Sequence, residues 1–240
     1  MPESTESSRP TNRRAFVLKS FFALPAALLC ARLPVSAEED DEEDVSPAED
    51  LMREHGALNR ILLIYDEARH RLDGGTTVEP KIIIESAELI RAFIENYHEK
   101  LEEEHLFPRF EKAHQLTDLV AVLRKQHRGG RELTAQILVQ AKEISATNAS
   151  ARTALSKSLQ AFNRMYRPHE AREDTVLFPA FRQLVSDKEY KELGEQFEER
   201  EHELFGKEGF EQNVEKIAAL ERELGIYELD QFTPKLTGKS

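Results

Sequence analysis

Apolar residues recur every three to four positions along most of the chain, a periodicity that predicts amphipathic α-helices rather than strands. The first helix is predicted to begin after Ser46, because a capping serine, Pro47 at the first helical position and Glu49 form a helix-start signal. Gly74-Gly75 is predicted to end it. Its predicted buried stripe consists of Leu51, His55, Leu58, Leu62 and Tyr65.

Three further helices complete a predicted bundle. The second starts at about Pro80 and must kink or stop after Leu106-Phe107-Pro108, because proline lacks a backbone donor. Thr117-Asp118 is predicted to cap the third helix, and a polar turn over 145–150 separates it from the fourth. Each of these helices carries a histidine on its apolar stripe, namely His98, His127 and His169.

The C-terminal part of the chain predicts two more helices. Ser186 and Glu189 form a second capping box, which opens a highly charged helix. An amphipathic segment over 210–224 is predicted to fold back against the bundle. The predicted fold class is therefore all-α, an up-down-up-down four-helix bundle over residues 47–185 with additional C-terminal helices over 186–240.

One motif occurs twice along the chain. Residues 98–108 read HEKLEEEHLFP and residues 169–179 read HEAREDTVLFP, and each copy follows a helix with one histidine, His55 or His127. The offsets between the equivalent histidines differ by only one residue. Such a repeat predicts two similar helix pairs related by a pseudo-twofold axis.

Six side chains of this repeat are predicted to point into the bundle core as metal ligands. Within each motif the histidine and glutamate are one helical turn apart and share a face. Four imidazoles and two carboxylates would be unfavourable in a core without a cation, and a satisfied polar network is the alternative. Nitrogen and oxygen donors with bridging carboxylates favour two iron ions, with manganese or zinc as alternatives. The predicted ligands are His55, His98, Glu102, His127, His169 and Glu173.

This set of residues resembles the ligand pattern of the hemerythrin-like, or HHE cation-binding, domains. The Leu-Phe-Pro that follows each motif is also similar to that family, and the resemblance spans roughly residues 48–185. The resemblance implies a four-helix bundle that holds a non-haem di-iron centre and binds or reacts with oxygen species.

The sequence departs from the oxygen-carrying members of this family at two positions. Where they have a fifth histidine this chain has Arg131, and where their last helix has its carboxylate this chain has Asp174. Glu173 and Asp174 are therefore rival ligands, and Glu173 is preferred because its spacing matches that of the first motif. A missing ligand favours turnover over reversible oxygen carriage. The open position could instead be filled by water, Tyr65, Tyr97 or Glu103.

Gly130 lies on the histidine stripe of the third helix, where a glycine costs about 1 kcal/mol relative to alanine. Its lack of a side chain either opens space beside the metals for a small ligand or allows close helix packing. The remaining histidines are interpreted as solvated, capping or packing residues rather than ligands: His70, His105, His114 and His202.

The N-terminal segment predicts export. Arg13-Arg14 precedes a short apolar run and a small-residue cleavage site at Val35-Ser36-Ala37, which resembles a signal for the twin-arginine export machinery. A membrane anchor is the alternative. The prediction is a signal over 1–37, an acidic linker over 38–46 and an exported, periplasmic or extracytoplasmic protein. Cleavage would remove Cys30, the single cysteine, and with it any thiolate ligand.

The net charge of the chain excludes some classes of binding partner. A value of −12 argues against nucleic acid, and against an anionic membrane once the signal is cleaved. The first functional hypothesis is a di-iron protein that binds or reacts with O2, peroxide or nitric oxide. The second is a redox enzyme that uses the same centre to consume peroxide or oxidise iron. The third is an iron store, sensor or helical scaffold.

Overall fold

The computed structural model describes residues 45–76, 78–145 and 147–235. The predicted export signal, and the acidic linker up to residue 44, lie outside the described residues. Within the described ranges every regular element is a helix and no strand occurs, which confirms the all-α prediction. None of the described helices is both long and apolar enough to span a bilayer.

Four helical arms form the bundle. The first arm is α1 (Pro47–Asp73). The second arm runs without a break through α2 (Pro80–Leu89), a π-helical segment (Ile90–His98), α3 (Glu99–Leu101), a second π-helical segment (Glu102–Leu106) and α4 (Phe107–Ala113). The third arm is α5 (Thr117–Ala141), and the fourth comprises α6 (Ala149–Arg172), a π-helical segment (Glu173–Leu177) and α7 (Phe178–Leu184). Beyond the bundle lie α8 (Asp187–Phe205), α9 (Gly209–Leu224) and a 3-10 turn (Leu229–Phe232).

The arms pack side by side around one apolar core. α1 contacts α6 and α2, and α5 contacts the same two helices. Neighbouring arms α1 and α6 run antiparallel, because Asn163 Nδ2 donates to the Leu62 carbonyl at 2.9 Å while Ser156, earlier in α6, donates to Asp73, later in α1, at 2.6 Å. The predicted four-helix bundle is confirmed.

Two serines cap helices as predicted. Ser46 Oγ accepts from the backbone N–H of Glu49 at 3.3 Å, and Ser186 Oγ accepts from the backbone N–H of Glu189 at 3.2 Å. Helices α1 and α8 therefore begin where the sequence predicts. The last amphipathic segment forms α9, which packs against α1 and α2 and so folds back on the bundle as predicted.

The predicted cap at Thr117-Asp118 is wrong. Thr117 is the first residue of α5 itself, and the cap position belongs to Leu116, whose side chain makes no capping hydrogen bond. Leu116 and His114 both have left-handed backbone conformations, with φ values of 49° and 54°. The tight turn between α4 and α5 therefore reverses the chain through backbone conformation rather than through a polar cap.

Pro108 distorts the second arm without ending it. Of the two predicted outcomes, the stop is wrong and a local distortion is observed. A π-helical segment directly precedes α4, so the N–H of Phe107 donates to the carbonyl of Glu102, five residues back. This wider turn accommodates the proline ring, and the same arrangement recurs in the fourth arm before Pro179.

Candidate metal centre

All six predicted ligands meet in the bundle core. The first arm contributes His55, the third contributes His127, and the second and fourth each contribute a histidine and a glutamate. None of the six is more than 4% exposed. The structure therefore brings together the complete set that the sequence predicts: His55, His98, Glu102, His127, His169 and Glu173.

The six side chains form two overlapping groups. One group contains His55 and His98, the other contains His127 and His169, and both contain Glu102 and Glu173. Within each group the potential ligand atoms lie within 4.8 Å of one another. Each repeat therefore supplies one histidine pair, and the two carboxylates are shared between the pairs.

The four imidazoles direct Nε2 towards these carboxylates. Glu102 Oε2 lies 3.7 Å from His98 Nε2 and 3.4 Å from His127 Nε2. Glu173 Oε2 lies 3.4 Å from His55 Nε2 and 3.1 Å from His169 Nε2. Each carboxylate thus faces one histidine from each pair, as a group that bridges two ions would.

A side-chain oxygen contacts the Nδ1 atom of each imidazole, on the side of the ring away from the carboxylates. Asp174 contacts His55 Nδ1 at 2.7 Å, and Glu54 contacts His98 Nδ1 at 2.6 Å. Glu103 contacts His127 Nδ1 at 3.1 Å, and Gln126 contacts His169 Nδ1 at 3.0 Å. An Nδ1–H bonded to an oxygen fixes the tautomer and leaves the Nε2 lone pair free for a metal.

These four supporting residues repeat like the ligands. Glu54 and Gln126 each precede the lone histidine of their half, and Glu103 and Asp174 each follow a shared glutamate. Sequence reasoning missed this role, although the four residues occupy equivalent places in the two halves and that equivalence was the available signal.

Asp174, the rival ligand, lies outside both groups. Its Oδ1 contacts His55 on the side away from the centre, and its side chain is 35% exposed. Glu173 is fully buried and faces two imidazoles. The geometry therefore favours Glu173 as the ligand and makes Asp174 the residue that orients His55.

The phenylalanine of each Leu-Phe-Pro packs against a histidine of the other half. Phe178 stacks on His55 with ring centroids 5.5 Å apart, and Phe107 stacks on His127 with centroids 5.4 Å apart. Both rings are buried. They shield the imidazoles from water, which explains why the apolar motif follows each acidic one.

The donor atoms at the centre lack other partners. The Nε2 atoms of His55 and His127 are buried and have no hydrogen-bond partner. The two carboxylate oxygens of Glu102 and the two of Glu173 also have none. A buried polar atom without a partner is unfavourable, and here the orphaned nitrogens and oxygens face one another. This donor set fits a pair of ions that accept nitrogen and carboxylate ligands.

Protonation in the metal-free centre reflects the crowding of these groups. Burial and repulsion from Glu173 hold the pKa of Glu102 well above its usual range. Against the effect of burial, the imidazoles of His169 and His55 hold the pKa of Glu173 well below its usual range. Without metal, the protonated form is therefore favoured at Glu102 and the ionised form at Glu173.

Three of the imidazoles differ in their affinity for protons. Burial and the charge of His55 lower the pKa of His98 well below its usual range. Burial lowers the pKa of His127 to about 4 despite its contact with Glu103. Burial also opposes the charge on His55, but Asp174 and Glu173 raise its pKa to about 10. His98 and His127 are therefore ready to bind metal at neutral pH, whereas His55 must lose a proton.

Arg131 occupies the position at which the resemblance implies a fifth histidine in oxygen-carrying proteins. Its guanidinium lies 2.7 Å from Glu99 Oε2 and 2.8 Å from Glu103 Oε1. Glu103 in turn contacts His127 Nδ1, so Arg131 reaches the imidazole of His127 through that carboxylate. The Glu103 carboxylate therefore already contacts Arg131 and His127 Nδ1. It belongs to neither of the two groups that contain a histidine pair.

Gly130 makes room for a protein side chain rather than for a small ligand. A Cβ at this position would lie 2.0 Å from the hydroxyl oxygen of Tyr166. That hydroxyl donates to Glu99 Oε1 at 2.7 Å and is buried. Of the two readings of Gly130, close helix packing is the one that the structure supports.

The other candidate side chains lie outside the centre. Tyr97 donates from its hydroxyl to the Phe197 carbonyl at 3.4 Å, and His105 packs against the ring of Phe197. His202 is 37% exposed. His70 and His114 lie in the last turn of α1 and at the end of α4. The positions of the four histidines agree with their interpretation as solvated, capping or packing residues.

Comparison with known proteins identifies relatives. The family model described as the hemerythrin HHE cation binding domain matches residues 46–181, a range that includes all six predicted ligands. One uncharacterized protein of Mycobacterium bovis and one of Mycobacterium tuberculosis are each 48% identical to this chain over 195 residues. The similarity covers 81% of this chain and 76% of each relative. No solved structure matches the chain.

Proposed function

The chain belongs to the hemerythrin HHE cation-binding family, and we propose that it holds two iron ions that bind or react with a small oxygen species. The observation that carries the proposal is the sharing of Glu102 and Glu173 by two histidine pairs. Two carboxylates common to two imidazole pairs suit a dinuclear site, because each can bridge neighbouring ions. Two histidines then complete the protein ligands of each ion.

The chain's own residues orient, insulate and balance the centre. Asp174, Glu54, Glu103 and Gln126 hold the imidazoles so that every Nε2 faces inward. Phenylalanine rings cover two of the histidines and exclude water from that side. Bound iron would supply the reversible electron transfer and the affinity for oxygen species that the side chains lack.

A redox enzyme is the second candidate, and one observation favours it over reversible oxygen carriage. Arg131 replaces a fifth imidazole and is held by Glu99 and Glu103, so it offers no ligand in its place. This helix therefore supplies no further imidazole beside His127 and His169, which would leave room at a bound ion for a reactant such as peroxide or O2. An iron store, sensor or scaffold is the remaining alternative.

Optical titration of the iron-loaded full chain separates these functions. Reversible absorption changes on adding and removing O2 would identify carriage. Irreversible oxidation, or steady consumption of added peroxide, would identify the enzyme. Either activity should be lost in the His98→Ala/His169→Ala variant and kept in Glu203→Gln, a surface variant. An iron-loaded chain that shows no spectral change with O2, peroxide or nitric oxide would contradict the proposal.

A further inference from the structure

A second group of acids lies beside the centre but outside it. Asp50 and Glu54 come from α1 and Glu201 comes from α8, and each offers a carboxylate oxygen within 4.8 Å of the other two. We call these three residues the acidic cluster. Glu54 is fully buried, Glu201 is 8% exposed, and the side chain of Asp50 is 14% exposed.

Positive charge near the acidic cluster is sparse. The Arg53 guanidinium lies 3.8 Å from Asp50, but it also lies 3.6 Å from Glu211 and stacks over the Phe210 ring at 4.3 Å. Burial raises the pKa of Asp50 to about 8. Three carboxylates lie within 4.8 Å of one another with little positive charge to balance them, and a bound cation would relieve their repulsion.

One oxygen of the acidic cluster has no partner. Glu54 Oε2 contacts His98 Nδ1 at 2.6 Å, whereas Glu54 Oε1 is buried and has no hydrogen-bond partner. The nearby Tyr97 hydroxyl favours the ionised form of Glu54 and so opposes the effect of burial on the pKa of that carboxyl, but its hydrogen bond goes to the Phe197 carbonyl at 3.4 Å. By contrast, Glu201 Oε1 already accepts from the backbone N–H of Phe210 at 2.6 Å. A fully buried oxygen without a donor points to a ligand at this position.

A surface cavity of about 460 Å³ gives solvent access to the acidic cluster. Asp50 and Glu201 line it, and Glu54 lies behind them against His98. Acids outnumber bases around the cavity, so its field attracts cations. The other charged or imidazole side chains that line it are Arg53, Glu198, His202, Lys207, Glu208 and Glu211.

We propose that Asp50, Glu54 and Glu201 form a third cation site, which takes a hard divalent ion such as Mn²⁺ from the surface cavity. Carboxylate oxygens are the donors that such ions prefer, and three of them converge from two helices. Because the cavity that Asp50 and Glu201 line opens to solvent, this ion would be exchangeable. Glu54 also supports His98, but Asp50 and Glu201 contact none of the four histidines of the centre and belong to neither histidine group, so they can be changed without altering its candidate ligands.

Counting bound Mn²⁺ tests the third site. The full chain is first loaded with iron, and exchangeable metal is removed with a weak chelator. Free Mn²⁺ is then followed by electron paramagnetic resonance during titration. The wild-type chain should bind one further Mn²⁺, and Asp50→Asn/Glu201→Gln should not. The matched control Glu49→Gln/Glu203→Gln changes charge equally on the same two helices and should bind it.

Two additional variants keep the outcome decisive. The single changes Asp50→Asn and Glu201→Gln preserve side-chain shape and should each weaken Mn²⁺ binding at least about tenfold. The His127→Ala/His169→Ala variant damages the centre and leaves the acidic cluster intact, so it should keep the Mn²⁺ ion that depends on Asp50. Equal Mn²⁺ binding by the wild-type chain and all acidic-cluster variants would overturn the proposal. In that case protons shared among the three carboxylates, rather than a bound cation, would relieve their repulsion.

Discussion

Each imidazole of the centre is useful because its second nitrogen is already engaged. Asp174, Glu54 and Glu103 are carboxylates, whereas Gln126 behind His169 is neutral. A carboxylate behind a histidine raises its basicity as a ligand more than an amide does. The two halves of the centre therefore differ in electronic character although their ligands match, and Gln126 is the residue that breaks the symmetry.

Removing Asp174 should weaken the centre without dismantling it. Asp174→Ala removes the oxygen that orients His55 through Nδ1, and we expect metal affinity to fall about 10- to 100-fold with the stoichiometry unchanged. Glu173→Ala removes a shared ligand and should lower the number of bound ions. Metal titrations of both variants, with the exposed-site change Asp118→Ala as control, measure the difference. If Asp174→Ala lost its metal and Glu173→Ala kept both ions, Asp174 would be the ligand.

Among the helices, the contact between α5 and α6 beside the centre leaves no room for a side chain at Gly130. Gly130 on α5 lies against the hydroxyl of Tyr166 on α6, and that hydroxyl is tied to Glu99 on the second arm. The tyrosine also packs against His169, with ring centroids 5.5 Å apart. Three arms therefore meet at a point where a single methyl group does not fit.

Gly130→Ala should destabilise the protein by about 1–3 kcal/mol, because the added methyl group overlaps the Tyr166 hydroxyl. Gly129→Ala is the matched control. Its Cβ would lie 3.6 Å from Met165 Sδ, an ordinary contact, and alanine favours the helix by up to about 1 kcal/mol. Urea unfolding of the two variants measures both changes. Equal stabilisation by both would contradict the packing role of Gly130.

Short sequence patterns predicted most of the helices. They did not predict the contacts between residues that are distant in the sequence. Ser46 and Ser186 were predictable as caps because a cap depends on the next three residues. The convergence of the six candidate ligands was predictable because the motif repeats. The π-helical turns were not predictable, because the periodicity of apolar residues does not distinguish a π-helical turn from an α-helix. The partners of Gly130 and of each Nδ1 lie on other arms, so the sequence carries no local sign of them.

Across the whole molecule, buried acids give the metal-free chain an unusual pH dependence. Burial raises the pKa of Glu54, Glu99 and Glu170 to about 8, and acidic neighbours raise that of His55 to about 10 against the effect of burial. Above pH 6.5 the folded chain therefore binds more protons than the unfolded chain. Its stability must fall as pH rises. His98 and His127, with lowered pKa values, oppose this trend only below pH 6.5.

Thermal unfolding of the chelated protein should show this trend. We expect Tm to fall by several degrees between pH 6.5 and 8, given about 2–4 °C for each kcal/mol in a chain of this size. The metal-loaded protein should change less, because bound ions replace the protons. A Tm that rises over this range in the chelated protein would show that the buried acids are ionised.

Iron stoichiometry of the purified full chain, measured after a weak chelator removes exchangeable ions, tests the central claim most directly. The shared carboxylates predict about two iron ions per chain. The His98→Ala/His169→Ala variant removes one imidazole from each pair and should retain none, while Glu203→Gln should match the wild-type chain. One ion per wild-type chain, or full loading of the double variant, would contradict the account.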